Sequence, residues 1–342
     1  MVAIYSLKEL PRERIFGETY VSQQEPLVSR YHNAYVTPDA DQKKGGVFTT
    51  DGYMASPALI SRGRSETPFF DPTVNTFNDK DAVRLDHAVY GGRLVGHFGH
   101  FLLETLPRLT FLKEATDFPL IFHCDESLMN VYQKSCQNYL LSSLGISFER
   151  IVIANKTLNI GNLIVPWPAF EIRRKIHKSF LEFTAGLAPS SSGSPGIGAK
   201  KIFLSRTGLA ASGLRKITNE VKIEQAFADY GFSIVHSQTL SFPQQIETFQ
   251  SAEIVAGFAG SAFHNLLFCQ GAKKVLYLTP EERFNANMVL IDKARGDESM
   301  CLFLSAEKSI VNQKAGFRIK HVNAALSSVE KILAAWQSDC HA

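Results

Sequence analysis

Residues 253–269, EIVAGFAGSAFHNLLFC, decide how the second half of the chain is interpreted. A buried-strand pattern leads into a glycine turn, and an apolar helical pattern follows and stops before Gly271. Similar strand patterns lie at 201–205, 232–236 and 274–278, with helical patterns between them. Strands that alternate with helices in this way form a parallel sheet through right-handed crossovers. We therefore predict a Rossmann-like domain over 201–322.

A segment rich in serine, glycine and proline, 188–200, indicates a linker before this domain. We expect an N-terminal α/β domain over 1–187, with buried strands at 119–123 and 150–153 and helices at 128–144 and 172–183. A last helix is predicted within 323–342, and one option is that it packs back on the N-terminal domain. Two α/β domains joined by a linker form a cleft, which is a usual place for a ligand.

The composition excludes several classes of protein. Of the 342 residues, 45% are hydrophobic and 20% charged, which is typical of globular domains. The net charge of +3 does not predict nucleic-acid binding. Five cysteines without C-x-x-C spacing argue against a disulfide framework or a structural zinc site. Without a signal-like segment or a long apolar run, we expect a soluble cytoplasmic protein.

The first chemically suggestive segment is 96–109, GHFGHFLLETLPRL. At helical spacing His97, His100, Glu104 and Arg108 share one face, while the apolar residues are available for the core. This row could supply a base and an anion clamp; the alternative is an amphipathic helix with a solvated polar face. A zinc site of His97, His100 and Glu104 is less favoured, because the H-E-x-x-H order is absent.

The second candidate is an anion site in the C-terminal half. Gly257, Gly260 and Ser261 lie where a strand turns into a helix, and free N–H groups there favour a phosphate. Arg206 follows the strand at 201–205, and Arg215 follows it in the chain. Ligands of open parallel sheets bind beyond the carboxyl ends of the strands, so both arginines could face one diphosphate. The alternatives are a tight turn that needs glycine for its backbone and an exposed loop with ordinary charges.

Two further patterns carry less information. The triplets Asp39-Ala40-Asp41 and Asp79-Lys80-Asp81 could hold a divalent cation on a nucleotide diphosphate, but they lie in turn-rich segments and are expected by chance. The basic run 173–178 is interpreted as a solvated helix face, with contact to anionic lipid as the secondary interpretation.

Taken in order, these motifs resemble a known family. Residues 99–109 resemble the G-H-W-L-x-[DE]-x-L-P-R-L signature of glycosyltransferase family 61. Further matching pieces follow at fitting distances: Ser205-Arg206, Arg215 to Glu220, Gly231-Phe232, Gln244 to Ile246, and Ala252 to Phe268 with Gly257, Gly260, Ser261 and Asn265. The resemblance covers about residues 90 to 280. One departure is Ala259, where many relatives carry histidine; His264 stands nearby.

The resemblance implies a GT-B-like α/β fold, with two Rossmann-like domains facing a cleft, and an inverting transfer from a nucleotide sugar. It also implies a bacterial cytoplasmic-type member, working on capsule, lipopolysaccharide or another surface glycan, at the inner face of the membrane as one option. The expected partners are a nucleotide-sugar donor, with a UDP-sugar favoured, and a glycan or lipid-linked glycan acceptor. The transferred unit is a hexose or a pentose. No cofactor is required; a divalent cation is an open alternative that nothing in the sequence indicates.

We assign Glu104 as the general base, with His100 as the alternative base or as the residue that orients it. The donor site is assigned to Arg206, Arg215, Glu220, Gly260, Ser261 and Asn265. Secondary candidates are His97, Arg108, Asn219, Gly257 and His264. Other functions remain open: a non-catalytic glycan- or nucleotide-binding member, a transferase of a non-sugar group such as pyruvyl onto polysaccharide, and a metal-dependent hydrolase that uses His97 and His100.

Overall fold

The computed structural model describes residues 3–38, 45–60, 62–63, 82–113, 117–124, 136–189, 198–209, 215–217, 219–312, 317–323 and 329–334. The chain is a mixed α/β protein with several sheets. It divides into two compact units, one made of Gly17–Leu187 and one made of Met1–Phe16 with Ala188–Ala342. Of the predicted linker, residues 190–197 lie outside the described residues.

The strands are β1 (Ala3–Ser6), β2 (Ile15–Phe16), β3 (Tyr20–Ser22), β4 (Val28–Thr37), β5 (Gly46–Phe48), β6 (Val83–Arg93), β7 (Leu120–His123), β8 (Ile151–Ile153), β9 (Leu158–Pro166), β10 (Phe170–Glu171), β11 (Lys175–His177), β12 (Lys201–Leu204), β13 (Arg215–Ile217), β14 (Ser233–Val235), β15 (Ile254–Phe258), β16 (Lys274–Thr279), β17 (Phe284–Asn285), β18 (Glu298–Phe303), β19 (Ser305–Asn312) and β20 (Phe317–Asn323). The α-helices are α1 (Phe98–His100), α2 (Cys136–Ser143), α3 (Ser179–Ala185), α4 (Glu220–Asp229), α5 (Phe242–Ser251) and α6 (Ala286–Arg295). A last helix occupies 329–334. Short 3₁₀ turns lie at Arg12–Arg14, Ser56–Ala58, Phe148–Arg150, Thr207–Leu209 and Ser237–Thr239.

The C-terminal unit is built on a six-stranded sheet in the order β1-β18-β16-β15-β12-β14. All neighbouring pairs from β18 to β14 are parallel, as the alternation of strands and helices predicted. α5 begins with a capping box, in which the N–H of Ser241 donates to Oε1 of Gln244 at 2.9 Å.

The structure assigns the first sixteen residues and the last helix as follows. β1 pairs antiparallel with β18, with Ala3 opposite Phe303, so the first sixteen residues belong here and not to the N-terminal domain. In the last helix, Val329 and Leu333 lie in the same apolar core as Phe203. The described part of that helix therefore packs within the core of the C-terminal unit.

The N-terminal unit contains a mixed six-stranded sheet in the order β5-β4-β9-β6-β7-β8. β4 is antiparallel to both β5 and β9, whereas β6, β7 and β8 pair in parallel, so the sheet departs from the all-parallel Rossmann pattern. The predicted strands at 119–123 and 150–153 are present as β7 and β8. Of the predicted helix at 128–144, the described part is α2.

We predicted one helix over 172–183, and this prediction was wrong. β10 and β11 form a hairpin in which Phe170 lies opposite Ile176, and α3 begins only at Ser179. At the tip of the hairpin Arg173 has a φ of 56°, a left-handed conformation that ends any helix. Within the basic run only Arg174 and Lys178 are exposed, so the expected solvated basic helix face does not exist.

No helix among the described residues is long and apolar enough to cross a bilayer.

Candidate active site

The helical segment that carries the first motif changes its winding within sixteen residues. α1 ends at His100, a π-helical turn covers Phe101–Thr105, and a 3₁₀ helix covers Leu106–Lys113. Pro107 lacks an N–H and lies near the start of the 3₁₀ helix, where the winding has changed. Single π turns inside helices occur frequently at functional sites.

A three-residue polar cluster forms on this π turn. Nδ1 of His100 lies 2.9 Å from Oε1 of Glu104. The guanidinium of Arg62 contacts both oxygens of the same carboxylate, with Nε 2.6 Å from Oε1 and Nη2 3.2 Å from Oε2. Glu104 is buried, whereas the side chains of His100 and Arg62 are 35% and 30% exposed. The cluster therefore joins a closed carboxylate to two partners that solvent reaches.

The contacts of Glu104 determine its charge and the tautomer of His100. Burial raises the pKa of Glu104, but the hydrogen bonds and charges of His100 and Arg62 outweigh it, so the net pKa is lowered. An ionised carboxylate only accepts hydrogen bonds, so Nδ1 of His100 must donate the one between them. In a neutral ring this leaves Nε2 as the basic nitrogen.

Sequence reasoning found two members of this cluster and missed Arg62. The spacing of four residues between His100 and Glu104 identified that pair. Arg62 lies 42 positions before Glu104, in a turn-rich stretch without a motif, and only the fold brings it to the carboxylate. No local signal in the sequence could have identified it.

Arg108 is not an anion clamp on the shared face that we expected. It is 2% exposed, and Nη1 donates to the carbonyls of Pro57 at 2.6 Å and Pro166 at 2.8 Å. Nη2 donates to the carbonyl of Leu59 at 3.1 Å. Because these groups are main-chain carbonyls, Arg108 fixes the backbone just before Arg62 and contributes to the architecture of the site.

Gly91 and Gly92 form a bulge inside β6. A Cβ on Gly92, whose φ is +85°, would lie 2.6 Å from Cδ of Arg108. A Cβ on Gly91 would lie 2.2 Å from the ring of Phe122. Both glycines therefore give space to large side chains that pack against the strand.

The metal interpretations find little support in the geometry. The rings of His97 and His100 meet edge to face at 5.2 Å between centroids, and Nδ1 of His100 is occupied by Glu104. In the part of the chain that the structure describes, no group of three or more His, Cys, Asp or Glu side chains could hold a metal ion. Both D-x-D triplets, 39–41 and 79–81, lie entirely outside the described residues.

Three of the donor-side candidates, Arg206, Gly260 and Ser261, follow the carboxyl ends of β12 and β15, which are neighbouring parallel strands. Glu220, at the start of α4, is buried, and its Oε1 accepts the backbone N–H of Arg206 at 2.7 Å. Burial raises the pKa of Glu220 to about 7, against the opposing effect of Arg206 and with a further increase from Glu224. Glu220 thus holds the main chain of the loop that carries Arg206 (Ser205 to Thr207, called the Arg206 loop).

Glu224, which the sequence analysis did not identify, holds the same loop one helical turn further along α4. Its Oε1 accepts hydrogen bonds from the hydroxyl of Thr207 at 2.9 Å and from the hydroxyl of Ser205. Two carboxylates therefore fix the loop on both sides of Arg206, whose side chain is half-buried.

The two glycines at and just after the end of β15 differ in what their backbone requires: packing explains the glycine at 257 but not the one at 260. Gly257 has a φ of +154°, and a Cβ there would lie 2.9 Å from the carbonyl oxygen of Leu204 on β12, so its role is close strand packing. Gly260 has an extended φ of −174° and tolerates a side chain. Gly260 and Ser261 are half-buried at the start of the 3₁₀ helix Ser261–Phe268, where a ligand could reach their N–H groups.

Of the remaining candidates in the C-terminal unit, two have buried side chains, and the side chain of one is not described by the structure. Asn265 is fully buried, and its Nδ2 donates to Oε1 of Gln245 at 3.0 Å, which ties the 3₁₀ helix to α5. His264 is also buried. Asn219 precedes α4, and its carbonyl accepts the N–H of Lys222. The backbone of Arg215 begins β13, and its side chain is outside what the structure describes.

Comparison with known proteins adds one finding. The model of the family described as Glycosyltransferase 61 matches residues 98–276, a span that includes the π turn, the Arg206 loop and the glycine turn. No curated protein matches the chain.

Proposed function

The chain belongs to glycosyltransferase family 61, and we propose that it is an inverting enzyme that moves a sugar from a nucleotide-sugar donor to a hydroxyl of a glycan acceptor. The observation that carries the proposal is the cluster of Arg62, Glu104 and His100, in which His100 and Glu104 lie at the start of the matched span. It offers a ring nitrogen, Nε2 of His100, and the contact of Nδ1 with a buried carboxylate sets the tautomer and orientation of that ring.

In the proposed reaction His100 is the general base, which was our alternative assignment. Nε2 takes the proton of the acceptor hydroxyl while that oxygen forms a bond to the anomeric carbon. The bond from the anomeric carbon to the nucleotide diphosphate breaks at the same time. Glu104 is less suited to this role, because Arg62 occupies both of its oxygens and its pKa is lowered. It stabilises the imidazolium that forms. General-base catalysis is typically worth ~10²–10⁴ in rate.

The leaving diphosphate is proposed to meet the Arg206 loop and the N–H groups of Gly260 and Ser261. These donors are already in place before the reaction, so they stabilise the negative charge that develops on the departing oxygens. This is electrostatic catalysis. A charge-assisted hydrogen bond is worth roughly 1.5–3 kcal/mol. Arg215 stays a second candidate for this role. With arginine supplying the positive charge, the proposal requires no cofactor, and UDP-sugars are the favoured donors.

The finer assignments are part of the same proposal. A GT-B organisation would give nucleotide binding to the C-terminal unit and acceptor binding to the N-terminal unit. The transferred unit is a hexose or a pentose. The proposed setting is surface-polysaccharide synthesis in a bacterial cytoplasm, with capsule or lipopolysaccharide as product and a free or lipid-linked glycan as acceptor.

Calorimetric titration of the full chain with UDP, GDP, CMP and their sugar conjugates, with and without Mn²⁺, tests this function. We expect one nucleotide to bind with micromolar affinity, and Arg206→Ala to weaken it at least about tenfold because a charge-assisted bond is lost. Lys222→Ala, an exposed position on α4, is the matched control and should bind normally.

Absence of binding by every nucleotide, with the fold intact, would contradict the donor site. The alternative of a non-catalytic glycan-binding member would then lead. Binding that requires Mn²⁺ would instead contradict the proposal that arginines alone neutralise the diphosphate.

A further inference from the structure

Arg173 stands out because a buried, charged residue adopts an unfavourable backbone conformation at the tip of a hairpin. It is 9% exposed, and its φ of 56° is one that residues with a Cβ avoid. Its carbonyl accepts the N–H of Glu18 at 2.7 Å, which fixes the main chain at this tip. Such conformations persist where the surrounding structure determines them, frequently next to functional sites.

The side chain of Arg173 reaches the segment that carries Arg62. Its Nη2 donates a hydrogen bond to the main-chain carbonyl of Arg62. It also runs alongside Gly63, where an added Cβ would lie 4.0 Å from both Cβ and Nε of Arg173. The contact is therefore with the backbone of Arg62 and leaves the guanidinium of Arg62 for Glu104.

A second buried arginine holds the same segment upstream. Arg108 donates to the carbonyls of Pro57 and Leu59, and Arg173 donates to that of Arg62. Two guanidinium groups thus hold the main chain at residues 57, 59 and 62, the last of which is the partner of Glu104. Because the contact between Arg62 and Glu104 is bidentate, a small displacement of the Arg62 backbone breaks its geometry.

We propose that Arg173 is a positioning residue for the transfer reaction: by holding the carbonyl of Arg62, it keeps the Arg62 guanidinium on Glu104 and so maintains the charge that orients His100. This inference rests on the proposed function of His100 and Glu104. It assigns Arg173 no contact with substrate.

The test follows the titration of the Glu104 carboxylate by ¹³C NMR in the full chain labelled at glutamate, with Glu104→Gln used to assign the signal. In Arg173→Ala we expect the pKa of Glu104 to rise by about one pH unit, since loss of a nearby opposite charge has effects of this size. Arg62→Ala should raise it at least as much. Arg174→Ala is the control, because this neighbour has a 46% exposed side chain that pairs with Glu171, and it should leave the titration unchanged.

The double variant shows whether Arg173 affects the Glu104 pKa through Arg62 or independently of it. If Arg173 acts through Arg62, then Arg62→Ala with Arg173→Ala gives the same Glu104 pKa as Arg62→Ala alone. Additive shifts, or an unshifted titration in Arg173→Ala, would overturn the inference. Arg173→Lys, which keeps one charged donor, should shift the titration in the same direction by less; it provides the comparison if the alanine variant does not fold.

The proposed function is tested by a different measurement, the turnover of the enzyme. Turnover, followed as release of UDP from a UDP-sugar, should fall in both His100→Ala and Glu104→Gln. If it is unchanged in both, the proposed function fails, whatever the titration shows. If turnover falls in both but Arg173→Ala leaves the Glu104 titration unmoved, only the role of Arg173 fails.

Discussion

Glu104 keeps a negative charge in a nearly closed environment because two donors compensate its burial. Isolated carboxylates in such places become protonated, since desolvation penalises the charged form. Here Arg62 contacts both oxygens and His100 shares one of them, which gives the lowered pKa of the carboxyl group. The charge has a consequence for chemistry, because it fixes one tautomer of His100 and stabilises the protonated ring.

At this scale the first prediction separates the base from its orienting partner. We expect His100→Ala to lower kcat by ~10²–10⁴, the usual contribution of a general base. Added imidazole should restore part of this activity, because it can enter the space of the lost ring. Glu104→Ala should also lose turnover, but imidazole should not restore it. Nucleotide affinity, measured by calorimetry, should stay unchanged in both variants.

Two results would contradict this assignment. Rescue of Glu104→Ala by small carboxylates such as formate, with no rescue of His100→Ala by imidazole, would return the role of base to Glu104. Full activity of both variants would remove the cluster from the mechanism.

The sequence predicted the site only as far as local spacing extends. His100 and Glu104 are four residues apart, so any helical turn brings them together. The buried positions of Arg108, Asn265 and His264 were not predictable, because burial depends on which segments pack above a residue. Arg62 and Glu224 were missed for a related reason: each makes its contact across segments that share no pattern.

At the scale of elements, the bulge of β6 shows how a strand accommodates the site. Gly91 faces the ring of Phe122 on β7, and Gly92 faces the side chain of Arg108. A regular strand with side chains at both positions would exclude these two groups. The bulge therefore lets a buried arginine lie against the sheet while its guanidinium reaches the carbonyls of residues 57, 59 and 166.

The second prediction tests this bulge. Gly91→Ala should lower the free energy of unfolding by about 1–3 kcal/mol, the usual cost of overpacking, because the new Cβ would lie 2.2 Å from the Phe122 ring. The measurement is urea denaturation. In a Phe122→Leu background the same substitution should cost less, since the ring that it meets is gone.

Gly145→Ala is a useful comparison for Gly91→Ala. Its Cβ meets nothing within 4 Å, although its φ is +68°, so its cost reports backbone strain without a clash. Equal costs of Gly91→Ala in the two backgrounds would contradict the steric explanation.

The elements of the C-terminal unit were predictable because each strand is a short, continuous apolar run followed by a helical pattern. β12, β14, β15 and β16 all lie within one or two residues of their predicted positions. The hairpin of β10 and β11 was not predictable in the same way. The four-residue spacing of Ile172 and Ile176 fits a helix, but pairing of β11 with β3, where Lys175 lies opposite Tyr20, favours a strand.

At the scale of the whole molecule, the two compact units do not follow the order of the chain. β1 completes the C-terminal sheet by pairing with β18, at a sequence separation of about three hundred residues. Composition and linker patterns detect boundaries only between neighbouring segments, so they could not assign residues 1–16 to the unit that begins at Ala188. Edge pairing is decided by which strand covers the exposed rim of β18.

The C-terminal unit also contains buried carboxyl groups whose protonation affects its stability. Asp292 on α6 is 2% exposed, and its Oδ1 accepts the hydroxyl of Tyr277 at 2.9 Å. Burial raises its pKa to about 8, and the charge of Asp297 adds to the increase. Glu220, with a pKa raised to about 7, acts in the same direction.

The sign of the effect follows from the proton balance. Between pH 6.5 and 8, Asp292 is ionised in the unfolded chain but still binds a proton in the folded one, so the folded state holds more protons. The free energy of unfolding therefore falls as pH rises. His123 acts oppositely, because burial lowers its pKa to about 4, but that contribution levels off roughly one pH unit above the unfolded-state pKa of 6.5 and is the same in the intact chain and in a variant of Asp292.

The last prediction is that Asp292→Asn gains stability relative to the intact chain as pH rises. An amide has nearly the shape of the carboxylic acid and cannot ionise, so the variant escapes the cost that the intact chain meets. One unmatched proton corresponds to about 1.4 kcal/mol per pH unit, so we expect a relative gain of roughly 2 kcal/mol between pH 6.5 and 8.5 in urea denaturation. Glu220→Gln should give a smaller gain, because its carboxyl group is already largely ionised above pH 7. Asp229→Asn, an exposed position at the end of α4, should show none. If Asp292→Asn and the intact chain lose stability in parallel over this range, Asp292 is ionised in the folded protein and the packing around Tyr277 must tolerate its charge.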